Sequence, residues 1–195
     1  KDKTAETEVK KDLNSASKKV LESKQGDSNS VAILNDAENI LVGAVEKRIA
    51  ILTEEYEVES KVYDVLAGKY VRSKSTENQK QQADVIYYSA LEERQQSESA
   101  TDEVEKMKYL SEANKKLKSA NSALLQVVSP DSMSETQQND VLTQDILSLY
   151  DDIKEQKDVS SHTESVDLSH ILSNTNPPTE PVDPSRPLSV AEGSG

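Results

Sequence analysis

A heptad repeat of apolar and aromatic residues runs through the middle of this 195-residue chain. One row recurs every seven residues and a second row follows three positions later; the rows are Val42, Ile49, Tyr56, Tyr63 and Tyr70, and Val45, Leu52, Glu59 and Leu66. This spacing is the a/d seam of a helix that packs along its length against other helices. Residues 1–129 contain no proline, which suits long helices because proline breaks them. The pattern predicts an all-α fold.

A second apolar face on the same helix predicts how many neighbours it has. The helix is expected over residues 30–72, roughly 65 Å at 1.5 Å per residue. Ala44, Ile51, Val58 and Val65 lie about 200° around it from the first row of the seam. A two-stranded coiled coil needs only the narrow seam, so two faces predict at least two neighbours and a helical bundle.

Further apolar stripes predict the remaining helices. They begin near the N terminus, after a polar bend at 73–78, after a polar stretch at 95–101 and after Pro130. A single unbroken helix over 76–128 is the alternative for the middle two stripes. We therefore predict an elongated antiparallel bundle of three to five helices with one long central helix, followed by a disordered Pro-rich tail.

The stripe before Pro130 repeats leucine in one row and mainly alanine in the other. The rows are Leu110, Leu117 and Leu124, and Ala113, Ala120 and Val127. Small alanines let a neighbour approach closely, so we expect this stripe to pack against the Tyr-rich seam. Glu59 interrupts that seam. Such a residue fixes the helix register, marks a hydrated position in the bundle, or lies where the bundle widens, and we favour the last interpretation.

Composition changes towards the C terminus. Five of the six prolines lie at 177–187, and residues 140–195 carry eleven acidic against three basic side chains. Segments rich in proline and in charge of one sign do not bury enough apolar surface to fold alone. We expect a helical bundle domain at 1–157 and a flexible acidic, Pro-rich tail or linker at 158–195.

Catalytic motifs are lacking in the sequence. The chain has no cysteine, and its two histidines, His162 and His170, do not have the tight spacing typical of metal ligands. Neighbouring acids at 54–55 and 151–152 point about 100° apart on a helix, so neither pair shares one site. We expect no enzyme activity, no cofactor and no metal.

Charge and hydropathy limit the classes of binding partner that are expected for this chain. The net charge of −13 and the lack of a basic stripe disfavour nucleic acid. No apolar run approaches the roughly 18–20 residues that span a membrane. A protein partner is expected instead, with Tyr88, Tyr109 and Tyr150 as candidate interface aromatics. Self-association through the heptad seam is a further expectation.

These features favour a non-catalytic helical interaction module of an exported bacterial protein. Such a module, secreted or at the cell surface, would be a stalk, an adhesion domain or a recognition domain. The chain has no cysteine and no Asn-x-Ser/Thr sequon, and its start at Lys1 suggests a piece of a larger protein. One alternative is a small exported helical subunit of a secretion or conjugation apparatus. Another is a cytoplasmic coiled-coil scaffold.

Overall fold

Five helices and no strand make up the part of the chain that the structure, a computed structural model, describes. That part is residues 3–26, 29–131 and 140–175, with side chains described except at 74–75 and 161–175. The helices are α1 (Lys3–Ser23), α2 (Ser30–Lys69), α3 (Lys74–Ser99), α4 (Glu103–Val128) and α5 (Val141–Thr175). The predicted all-α bundle with one long central helix is confirmed.

Helix α2 is the central element. Its 40 residues extend about 60 Å. Gly26, at a φ of 76°, lies in the turn that precedes it, a left-handed conformation that glycine adopts without steric cost. At the other end Tyr70 is extended and donates its backbone N–H to the carbonyl of Ala67. The predicted α2 boundaries, 30 and 72, are therefore close to those observed.

The first half of α2 packs against α1 and α5, and we call this part of the rod the proximal unit. Both neighbours run antiparallel to α2: Lys47 contacts Asp12 of α1 at 2.8 Å, and Glu38 contacts Lys157 of α5 at 3.2 Å. The start of α4 closes the core. The proximal cluster contains Val9, Ala16, Val20, Leu34, Ala37, Leu41, Ala44, Val45, Leu52, Met107, Leu110, Leu142, Ile146, Leu149 and Ile153.

The second half of α2 packs against α3 and α4, and we call this part the distal unit. Its cluster contains Tyr56, Tyr63, Ala83, Ala90, Ala113, Leu117, Ala120 and Leu124. Helices α3 and α4 lie close together, whereas α2 meets α3 through long side chains. The ring of Tyr63 stacks on Tyr87 at 4.0 Å, and Arg94 lies 5.1 Å from the ring centre of Tyr56. The expected match of Tyr seam and Leu/Ala stripe is observed.

Helices α3 and α4 are separate, so the alternative of one helix over 76–128 is wrong. The backbone is extended at Ala100 and at Asp102, which stops α3 and starts α4. Just before the break the hydroxyls of Ser97 and Ser99 donate to the carbonyls of Arg94 and Gln95. Serine side chains that bond locally to the backbone compete with helix continuation, which fits the end of α3 here.

The expected domain boundary at 157 falls inside a helix. Helix α5 continues to Thr175, while residues 176–195, with all the tail prolines, lie outside the described residues. The division into a bundle at 1–157 and a tail at 158–195 therefore stays a prediction.

Candidate interaction surface

The three candidate aromatics lie on three different helices and do not form one site. Tyr88 is on α3, Tyr109 on α4 and Tyr150 on α5. Tyr88 is 63% exposed, whereas the other two are half-buried. Tyr150 packs against the proximal cluster, and burial, followed by the charges of Glu38 and Asp102, raises its pKa to about 12. Tyr88 is the one of the three that presents most of its ring to solvent.

Tyr88 is held in position by a series of aromatic rings. Its ring meets the edge of Tyr87 at 5.7 Å, and Tyr87 stacks on the buried Tyr63. Edge-to-face and offset stacked rings attract each other through their quadrupoles. Val85, one turn before Tyr88 on the same face, is 69% exposed. The outer face of α3 therefore presents Val85 and Tyr88 to solvent, and Tyr88 is supported by the packed rings of Tyr87 and Tyr63.

A buried polar network joins α2, α4 and α5. Arg48 donates from Nη2 to Oδ1 of Asp140 at 2.6 Å and from Nε to Thr143 at 3.1 Å. The Ser111 hydroxyl donates to Oδ2 of Asp140 at 2.7 Å. The Thr143 backbone N–H also donates to Asp140, which therefore caps α5. Burial acts to raise the pKa of Asp140, but Arg48 and these hydrogen bonds lower it below its ordinary value.

This network of Arg48, Asp140, Thr143 and Ser111 was not predicted from the sequence. Arg48 lies directly before the seam residue Ile49, where periodicity predicts an edge of the apolar face. Asp140 lies before the apolar stripe of α5, as an N-cap residue does, and that signal is visible in the sequence. Arg48 and Asp140 are 92 positions apart in the sequence, so no local pattern predicts that they pair.

Two asparagines fix how α4 lies along α2. Asn114 donates to the carbonyl of Leu52 at 2.9 Å, and Asn121 donates to the carbonyl of Glu59 at 3.0 Å. The amide of Asn121 also donates to the Glu59 carboxylate at 2.9 Å. Donors and acceptors are both seven residues apart, so the two helices run parallel in one register. Glu59 therefore contributes to helix register, rather than only lying where the bundle widens, the interpretation favoured from the sequence.

An open groove of about 1110 Å³ lies between α1, α2, α4 and the start of α5. Ile51 and Val58 give it apolar surface, while Glu55 and Lys118, 2.7 Å apart, contribute charge. Arg48 contributes to the lining, and two of its guanidinium nitrogens, Nε and Nη2, donate to Thr143 and Asp140. The groove therefore presents both apolar and charged surface to solvent.

Among the described residues, one apolar face of α2 packs against a neighbouring helix over only half its length. In the proximal unit α1 covers it, and Ala44 is buried there. Beyond α1 the face continues as Val58, Val62 and Val65, which are 50%, 39% and 57% exposed. The prediction that this second face of α2 packs against a neighbouring helix is therefore confirmed in the proximal unit only. We call these three valines the distal valine face.

Metal and membrane features can be assessed where the structure describes the chain. There, no group of three His, Cys, Asp or Glu side chains is arranged to hold a metal ion. The side chains of His162 and His170 lie outside the described residues. None of the described helices combines the length and the apolar character needed to cross a membrane.

Comparisons with family models, curated proteins and solved structures gave no match to this chain.

Proposed function

We propose that the chain is a non-catalytic helical interaction module of an exported bacterial protein, acting as a surface stalk, adhesion domain or recognition domain. Support comes from the architecture: a helix of about 60 Å is braced in turn by α1 with α5 and by α3 with α4. A braced rod keeps a binding surface at a fixed distance from an attachment point.

The exposed pair Val85 and Tyr88 is the observation that carries the proposal. Aromatic side chains are enriched at the centres of protein interfaces because they offer a large contact area at little loss of rotamer freedom. Tyr88 is already ordered by Tyr87, so binding would cost little further entropy. The net charge of −13 favours partners with basic residues around an apolar contact.

Site-specific photo-crosslinking tests the proposed surface. Tyr88 is replaced by p-benzoylphenylalanine in the full-length protein, in the cells that normally produce it. We expect a covalent adduct with a second protein after irradiation. The same substitution at Val42, an exposed apolar residue on α2, is the control and should give no adduct. Equal yields at the two positions, or none, would contradict a recognition role for this face.

Surface labelling distinguishes the proposed location from the alternatives. A membrane-impermeant amine reagent is applied to intact and to lysed cells, since exposed lysines such as Lys10 and Lys108 accept it. Labelling in intact cells is expected. Labelling only after lysis would favour the cytoplasmic scaffold. Copurification in a stable multiprotein assembly would favour a subunit of a secretion or conjugation apparatus.

A further inference from the structure

The distal valine face has the features of a helix–helix interface that lacks its second helix. Val58, Val62 and Val65 lie on one side of α2, with the spacing that α1 covers in the proximal unit. The heptad seam of α2 is a different surface, and its Tyr56 and Tyr63 are buried in the distal cluster. A second chain therefore meets the valine face without opening the bundle.

Charge is distributed unequally along this face. The exposed Glu54 lies one turn before the valines, and the exposed Lys61 lies among them. Lys69 is the last residue of α2, and Arg72 lies in the non-helical segment after it; both are exposed. A parallel copy would place like charges at the same level. An antiparallel copy would place Glu54 of each chain opposite the basic end of the other, which is favourable twice.

We propose that the distal valine face pairs antiparallel with the same face of a second copy of this chain. A twofold axis near Val62 allows both the contacts between valines and the contacts between opposite charges. It brings Val62 against its own copy, Val58 against Val65 of the partner, and Glu54 against the basic end of the partner. The apolar centre and the charged ends thus share one axis, as an isologous interface requires.

The area of this face sets the strength of the pairing. Stable interfaces bury about 1,200–2,000 Å² in total, more than three valines and their flanks supply. The chains also repel each other through a net charge of −13 each. The pairing is therefore weak in dilute solution, and it becomes significant where chains are held close together. It adds to the proposed interaction function a contact between neighbouring copies.

Disulfide trapping tests the pairing directly, because the chain has no cysteine of its own. The full chain carries a single substitution, Val62→Cys, Val58→Cys or Val42→Cys, and is oxidised gently. A disulfide needs Cα atoms within about 7 Å, which an antiparallel pair provides at position 62. We expect Val62→Cys to form a covalent dimer several-fold faster than Val42→Cys, which is similarly exposed on the opposite side of α2. Circular dichroism spectra should show that all three variants remain folded.

Each alternative result overturns part of the proposal. Equal rates for Val62→Cys and Val42→Cys would reject pairing through this face and leave it to a different protein. Dimer formation by Val58→Cys as fast as by Val62→Cys would reject the antiparallel orientation, because only a parallel pair brings both positions against their own copies. Failure of the crosslinking at Tyr88 would leave these results unaffected, so the two proposals are tested separately.

Charge reversal provides a second, independent measurement. One variant is Glu54→Lys and the other is Lys69→Glu with Arg72→Glu. Each alone places like charges together and should dimerise less than the native chain in sedimentation equilibrium. A mixture of the two restores both attractive ends and should form heterodimers preferentially. Unchanged association of each variant, or no preference in the mixture, would overturn the charge pairing.

Discussion

At the scale of single residues, Arg48 is a charged side chain that the described part of the chain buries. Its guanidinium is buried where α2, α4 and α5 meet, and Nη1 has no hydrogen-bond partner among the described residues. Removing the Arg48 charge from water costs free energy. The ion pair with Asp140 therefore mainly offsets this desolvation cost and adds little net stability. The pair then serves mainly to fix where α5 begins along α2.

Substituting Asp140 should show how much the stability of the fold depends on its ion pair with Arg48. Asp140→Asn leaves a buried, unpaired Arg48, and we expect a loss of about 3 kcal/mol in unfolding free energy at pH 7. Because the folded-state pKa of Asp140 lies below its ordinary value, its ionised form stabilises the native chain above about pH 4. That contribution disappears as the pH falls through the folded-state pKa, so the difference between variant and native chain should shrink in acid. Urea unfolding at several pH values measures it.

Asp145→Asn is the matched control for that measurement. Asp145 is an exposed acid on the same helix, and its substitution should change stability by less than about 0.5 kcal/mol. If Asp140→Asn behaves like this control, or if its effect persists unchanged at low pH, the ion pair does not hold α5.

At the scale of elements, α2 and α4 are held in register by amide groups rather than by apolar packing alone. Asn114 and Asn121 each donate to a backbone carbonyl of α2, yet the Oδ1 atoms of both are buried without a described partner. A shift of either helix by one residue would leave the amide nitrogens unpaired as well. Buried polar groups of this kind favour one register over others.

Asn114→Asp should disrupt that register. The substitution replaces a donor by a carboxylate oxygen that faces the carbonyl of Leu52, in a buried position. We expect a loss of at least about 2 kcal/mol at pH 7, since an unpaired polar group is buried. Asn39→Asp, on an exposed face of α2, is the control for thermal or urea unfolding. Equal stability of the two variants would show that the hydrogen bond from the Asn114 side chain to the carbonyl of Leu52 is unimportant for stability.

The glycines of the described chain allow a paired test of helix α2 and its preceding turn. A Cβ added at Gly43 or at Gly26 meets no atom within 4 Å. Gly43 is inside a helix, so Gly43→Ala should raise the unfolding free energy by about 1 kcal/mol. Gly26 has a positive φ, so Gly26→Ala should lower it by about 1 kcal/mol. Changes of the same sign would contradict this assignment of helix and turn.

At the scale of the whole molecule, two helices, α2 and α4, belong to both units. The proximal and distal clusters lie side by side along α2, and α4 contributes residues to each of them. The two units therefore cannot turn relative to each other as separate domains without bending α2. Rigidity of the rod depends on α2 remaining helical where one cluster gives way to the next.

Distance measurements between spin labels test that continuity. Asn35→Cys and Asp64→Cys place labels on exposed positions in opposite halves of α2. An unbroken helix separates these positions by about 44 Å along its axis. We expect one narrow distance distribution from pulsed electron paramagnetic resonance at low protein concentration. A broad or markedly shorter distribution would show a bend between the units.

Periodicity predicted the helices because it records which residues are apolar on each turn. The seam, the Leu/Ala stripe and the break after Val128 all follow from spacing and from Pro130. The network of Arg48 and Asp140 could not be predicted, since its partners come from distant parts of the chain. Periodicity also marked the distal valine face as apolar, but a pattern within one helix does not show whether a neighbour covers it.

The parallel course of α1 and α5 determines how the rod would carry mechanical load. Both helices run along the proximal half of α2 in the same direction, and they contact each other. A pull exerted through α1 and α5 is therefore resisted by shear between helices of the proximal unit. The distal unit, a loop of the chain that leaves and re-enters this region, lies outside the load path. The contacts around Tyr88 in the distal unit would thus remain unchanged while tension acts on the proximal unit.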